Sequence, residues 1–271
     1  MHFKNKEIQL QYQGFCETKS LWINTLHKNI QNTDYQCNYV SLFKVKNQLQ
    51  LRLGKLVEQF VFHQISENEN IEILIENLQI QDGKLTIGEL DCILLDNGKP
   101  THLEIIYKFY LYDATVGNEE IEHWVGPNRR DSFDLKYNKL IHKQLPLLHH
   151  EKTKKVLKEY NLDVNDIEQK VYFKAQLFPH LKERNTVFPL INNECIEGFY
   201  IYEKELKEFK TAKFFIPTKL NWLVKPHTHV DWLNFEDFKG RLHTFLQKEN
   251  SPLCWLKQTN GELHKFFVVW W

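Results

Sequence analysis

No charge of either sign is in excess in this chain. Its 271 residues carry 35 basic and 35 acidic side chains, for a formal net charge of zero. A general polycationic coat for nucleic acid is thereby excluded, although a local basic patch is not. Nor is there an apolar run approaching the ~18 residues of a membrane-spanning helix. The N-terminal segment has no apolar stretch of the secretory kind, so no membrane partner is expected. Glycine and proline are sparse, at 10 and 8 residues, which argues against long flexible linkers. The five cysteines, Cys16, Cys37, Cys92, Cys195 and Cys254, form no CxxC pair and are odd in number. They are expected to be reduced thiols in a cytoplasmic protein. No P-loop, Rossmann glycine fingerprint or GxSxG occurs, which disfavours P-loop nucleotide hydrolysis and serine-hydrolase chemistry.

What is present is globular: 42% hydrophobic, 14% aromatic and 26% charged residues. Apolar spacing predicts helices over 17–30 and, more strongly, over 50–65, where Leu53, Leu56, Val57, Phe60 and Val61 line one side. Alternation predicts a strand at 71–79. Residues 86–112 read as two strands around Asp96-Asn97-Gly98-Lys99-Pro100, because Asn-Gly between alternating runs is a strong hairpin signal. A charged helix over about 131–145 follows Gly126-Pro127, with Asp131 near its start, and a further strand is expected at 171–178. In the last third, strands are expected at 197–203, 213–217, 253–258 and 264–271, and a helix at 236–248. With no break in composition, the chain reads as a single α/β domain over 1–271. Its core, in the order α-β-β-β-α-β, covers about 50–180, and an α+β elaboration covers about 181–271.

Acids stand inside the runs that should form core strands. Glu89 and Asp91 share a face with Ile87, Ile93 and Leu95, while Glu104 and Lys108 share a face with Ile106. Carboxylates gathered together raise one another's pKa unless a cation joins them. An all-oxygen set points to Mg²⁺ or Mn²⁺ over Zn²⁺. Arg129 and Arg130 precede the charged helix, and Lys136, Lys139 and Lys143 recur along it at spacings of 3 and 4, a candidate track for nucleic acid. His149-His150 and His227-Thr228-His229 lack the spaced partners of a transition-metal site. The tryptophans of the last third read as packing rather than as platforms for bases.

Gly88-Glu89-Leu90-Asp91, a turn, and then Glu104…Lys108 resemble the PD-(D/E)XK nuclease superfamily. The resemblance implies a restriction-endonuclease-like core, a small mixed sheet flanked by helices. It also implies metal-dependent hydrolysis of DNA or RNA phosphodiester bonds. Asp91 matches the metal-bridging acid, Glu104 the second acid, Lys108 the lysine and Glu58 the helix glutamate, with Glu89 a further candidate ligand. Superfamily members place the acid two residues before the lysine, where this chain has Ile106. A catalytically inactive module on the same fold, binding nucleic acid or a protein, is the alternative. More narrowly, the chain resembles the bacterial family called domain of unknown function 1853. That resemblance rests on Arg52-Leu53-Gly54, Gly88-Glu89-Leu90-Asp91, Glu104…Lys108-Phe109-Tyr110 and Trp124-Val125-Gly126-Pro127-Asn128-Arg129-Arg130-Asp131.

Overall fold

A computed structural model describes residues 2–22, 31–37, 42–43 and 52–271. In chain order the elements are α1 (His2–Glu17), β1 (Gln31–Asn32), α2 (Leu53–Ser66), β2 (Ile71–Asp82), β3 (Leu85–Asp96), β4 (Lys99–Tyr112), α3 (Glu120–His123) and β5 (Trp124–Val125). There follow α4 (Phe133–Lys139), α5 (Glu151–Glu159), β6 (Glu168–Phe178), β7 (Gly198–Tyr202), β8 (Lys213–Phe215), α6 (Phe235–Leu246), β9 (Leu253–Lys257) and β10 (Leu263–Val269). The fold is mixed α/β with two mixed sheets among the described residues, one ordered β1-β6-β4-β3-β2 with β5 on β4, the other β7-β10-β9-β8. The chain divides into two compact units. The first comprises Met1–Lys19, Lys108–Asp134 and Ala175–Trp271; the second comprises Ser20–Tyr107 and Leu135–Lys174.

The second unit is built on the predicted hairpin. β3 and β4 pair antiparallel from Asp96↔Lys99 to Cys92↔Leu103. Asn97 and Gly98 turn the chain with φ of 51° and 78°. Two successive left-handed residues match the twist of the strands they join, which is why Asn-Gly serves here. β2 adds to β3 antiparallel along nearly its whole length. Ile75, Ile80, Leu90, Ile93, Leu147, Leu148 and Leu157 form one apolar cluster of this unit. Each such side chain contributes roughly 1.5–3 kcal/mol when fully buried.

The helix expected over 17–30 is not formed at its start, and residues 23–30 lie outside the described residues. Ser20 bridges Lys174 and the Leu21 N–H donates to the Phe173 carbonyl at 2.8 Å, so β6 draws the backbone out straight. The charged helix is interrupted. α4 ends at Lys139, a π turn runs over Leu140–Gln144 and a 3-10 turn over Leu145–His149. Pro146 lacks the N–H that an α-helix would need there.

In the first unit, β10 pairs parallel with β7 and antiparallel with β9. Phe199, Ile201, Phe214, Phe238, Leu242, Leu256, Phe266 and Val268 form its core, with Phe214 and Phe238 stacked at 4.2 Å. Asn234 caps α6 by accepting the Asp237 N–H at 2.9 Å. The terminal run is a buried strand as far as Val269, and Trp270 and Trp271 follow outside it. Helix α1 packs against residue 223 through Gly14, where a Cβ would stand 2.0 Å from the Leu223 carbonyl oxygen. Cys92, Cys195 and Cys254 are free and buried. Cys16 is not a free thiol, which corrects the expectation of five reduced thiols. No described helix is long and apolar enough to cross a membrane.

Candidate active site

Four carboxylates of the second unit lie within electrostatic reach of one another in a linked set. Asp91 comes from β3, Glu104 from β4, Glu58 from α2 and Glu89 from β3. The antiparallel register that pairs Cys92 with Leu103 brings Asp91 alongside Glu104, where an Asp91 oxygen accepts the Ile105 N–H at 2.8 Å. Glu104 thus acts on the Asp91 charge, and no such effect of residue 106 exists because an isoleucine stands there. Ile106 lies two residues further on and is buried.

Burial raises the Asp91 pKa to about 8, with the Glu104 carboxylate adding to the rise and Glu58 contributing less. The Ile105 N–H and the charge of Lys136 act in the opposite direction. Burial also raises Glu58, and the charges of Glu89 and Glu104 push it the same way. These are the effects of desolvation and of like charges held close.

Glu104 is fully buried. His102 Nε2 lies 3.0 Å from one of its oxygens and the Gln144 amide donates to the other. The Gln169 amide donates to His102 Nδ1 at 3.0 Å, which leaves the ring proton on Nε2, directed at Glu104. Gln169 also donates to the Leu145 carbonyl at 2.7 Å, and Lys136 Nζ donates to Gln144 Oε1 at 2.7 Å. Two chains of hydrogen bonds thus converge on one carboxylate and fix it.

Lys55 binds the other two acids. Its Nζ donates to Glu58 at 2.8 Å, to Glu89 at 2.9 Å and to Asn77 at 2.8 Å, and these carboxylates raise its pKa. Four carboxylates therefore share the neighbourhood with two lysines, Lys55 and Lys136. Among the described residues, no group of three or more His, Cys, Asp or Glu side chains stands in a metal-ligating arrangement. The donor set nonetheless suits Mg²⁺, which is commonly bound through one or two carboxylates, its other positions going to water and substrate.

The remaining expected residues are placed as follows. Lys108 belongs to the first unit, where its Nζ donates to Asp131 at 2.6 Å. Arg129, also there, is bonded to Asp113, and its guanidinium lies 3.8 Å from the centre of the Trp271 ring. Arg130 is exposed in that unit, while Lys139 and Lys143 are exposed in the second. His150 caps α5, accepting the Lys152 N–H at 3.2 Å. His102, Lys55, Gln144 and Gln169 were not singled out by sequence. His102 had a signal, since two residues before Glu104 in a strand places it on the same face. The two glutamines had none.

A family model described as a domain of unknown function, DUF1853, matches residues 6–269. The chain belongs to that family. No curated protein matches it, and no solved structure does. The family match spans both units, so the acids of this DUF1853 chain and its Trp124–Asp131 loop fall within it.

Proposed function

We propose that the protein is a divalent-cation-dependent phosphodiesterase acting on DNA or RNA, with a restriction-endonuclease-like core in the run α2-β2-β3-β4-α4-β6. The observation that carries this proposal is the linked set of Asp91, Glu104 and Glu58, from two adjacent strands and a helix, where like charges and burial raise the carboxyls of Asp91 and Glu58. Asp91 and Glu104 would hold Mg²⁺ or Mn²⁺, with Glu58 or Glu89 completing the set. A bound ion of this kind would supply Lewis-acid polarisation of a phosphoryl oxygen and charge neutralisation. His102 and Gln144 orient Glu104. Lys55 and Lys136, the lysines beside the acids, would stabilise developing negative charge in place of Lys108, the residue that the resemblance matches to the superfamily's lysine. Lys139 and Lys143, exposed in the same unit as the acids, supply phosphate contacts.

A second reading, a non-catalytic module on the same fold, is favoured by the complete burial of Glu104 and by the engagement of both its oxygens. Calorimetric titration with Mg²⁺ and Mn²⁺ separates the two. The proposal expects saturable binding that disappears in Asp91→Asn. A folded wild-type protein that takes up neither ion would leave only the second reading.

A further inference from the structure

Strands β8 and β9 of the first unit pair antiparallel, with Phe215 opposite Trp255 and Lys213 opposite Lys257. The Phe215 and Trp255 rings meet 5.1 Å apart on one face of the sheet. Side chains alternate along a strand, so Lys213 and Lys257, two residues away, stand on that same face. Phe215 is only half-buried and lines a cleft of about 690 Å³, which helix α1 and the segment from Asn221 to Val230 border. The two lysines lie one pleat, roughly 7 Å, further along the sheet. Lys257 Nζ is 6.0 Å from the centre of the Trp232 ring, whose Nε1 donates to the Thr228 carbonyl at 3.1 Å. Trp232 is half-buried, unlike the buried Trp222 and Trp255.

Like charges directly opposite one another destabilise a pair of strands. Lys213 and Lys257 hold that arrangement, and among the described residues neither forms an ion pair, not even with Asp231 beside Trp232. The acids of the cleft do not answer them, since Glu7 accepts from Asn221 and Glu17 pairs with Lys225 at 2.8 Å. Unanswered ammonium groups beside half-open aromatic rings suit a single strand of nucleic acid. Lysines take its phosphates, and aromatic rings take its unpaired bases whatever their sequence. A duplex keeps its bases stacked and paired and gains nothing from the rings, while an acidic polypeptide offers charge without flat faces.

We propose that this face of the first unit binds single-stranded nucleic acid, with Lys213 and Lys257 on backbone phosphates and bases packed against Trp232 and Phe215. The site is separate from the acids of the second unit, and it holds a strand whether or not those acids hydrolyse one.

The test is fluorescence anisotropy of labelled oligothymidylate and oligouridylate with the full chain, in chelator so that no hydrolysis intervenes. The expected result is saturable binding that weakens with salt and is tighter than that of a duplex of equal length. Lys213→Gln combined with Lys257→Gln is expected to weaken binding about tenfold. It should also lower the slope of log affinity on log salt by about 1.4, for two phosphate contacts at ~0.7 each. Trp232→Leu is expected to weaken binding about fivefold or more and leave that slope unchanged. The double lysine variant loses a like-charge pair and so keeps its Tm, which separates lost binding from lost fold. Strand binding that the double lysine variant retains in full overturns the proposal, as does equal affinity for the duplex or for polyglutamate. Lys139→Gln combined with Lys143→Gln probes the second unit separately. Binding lost there and kept with Lys213→Gln and Lys257→Gln overturns this site and leaves the proposed function standing.

Discussion

Replacing Asp91 by Asn stabilises the metal-free protein, and only at high pH. The unfolded chain ionises this carboxyl near its usual 3.8, whereas the folded chain holds the proton to about pH 8. Below pH ~4 the group is neutral in both states and contributes nothing. As pH rises from about 4 to about 8, the unfolded state gives up a proton that the folded state keeps, so stability falls. Above about 8 the folded group ionises too, and the loss levels off. At about 1.4 kcal/mol per tenfold in proton activity, the full interval corresponds to roughly 6 kcal/mol. Asp91 is partly exposed, so solvent screens much of this. About 2–3 kcal/mol is expected to remain. Asn does not titrate, and its side-chain oxygen still accepts the Ile105 N–H. Urea denaturation of both proteins in chelator, from pH 4 to 9, reads the difference directly. It should be near zero at pH 4 and favour Asp91→Asn by about 2–3 kcal/mol at pH 8.5. A constant difference across the range would refute the reasoning, and so would a less stable Asn variant at pH 8.5.

Three further perturbations follow from the packing. His102→Ala leaves the buried Glu104 short of a donor and should cost about 2–3 kcal/mol in urea denaturation. Gly14→Ala places a methyl group against the Leu223 carbonyl and should cost about 1–3 kcal/mol, seen as a lower Tm. Gly98→Val puts a branched residue at a φ of 78° and should cost about 1–2 kcal/mol, again in urea denaturation. A loss below about 0.5 kcal/mol in any of the three would contradict the contact it tests.

Much of the second unit was legible because its signals are local. Asn97-Gly98 marked the hairpin, and the apolar stripe from Leu53 to Val61 marked α2, since turn geometry and helical periodicity are written over a few neighbouring residues. Glu89, Asp91 and Glu104 stood out because charge inside a strand is expensive. The register was not legible. Only the folded hairpin brings the Asp91 carboxyl to the Ile105 N–H and within reach of the Glu104 charge. Gln144 and Gln169 reach Glu104 and His102 from sites 40 and 67 residues away in sequence, and nothing in a glutamine announces such a partner. Helix α1 was missed because its polar, glutamine-rich sequence buries little beyond Gln11, Tyr12, Phe15 and Cys16. The strands of the last third were readable from aromatic alternation. The parallel pairing of β10 with β7 was not, because it joins residues more than sixty positions apart.

The central claim concerns chemistry at Asp91 and Glu104, and hydrolysis tests it most directly. Purified protein is incubated with single- and double-stranded DNA and RNA in Mg²⁺ or Mn²⁺, alongside Asp91→Asn and a chelator control. The account predicts ion-dependent strand cleavage that falls by about a hundredfold or more in Asp91→Asn and stops in chelator. Cleavage that survives Asp91→Asn unchanged, or no cleavage of any of the four substrates with either ion, would contradict it.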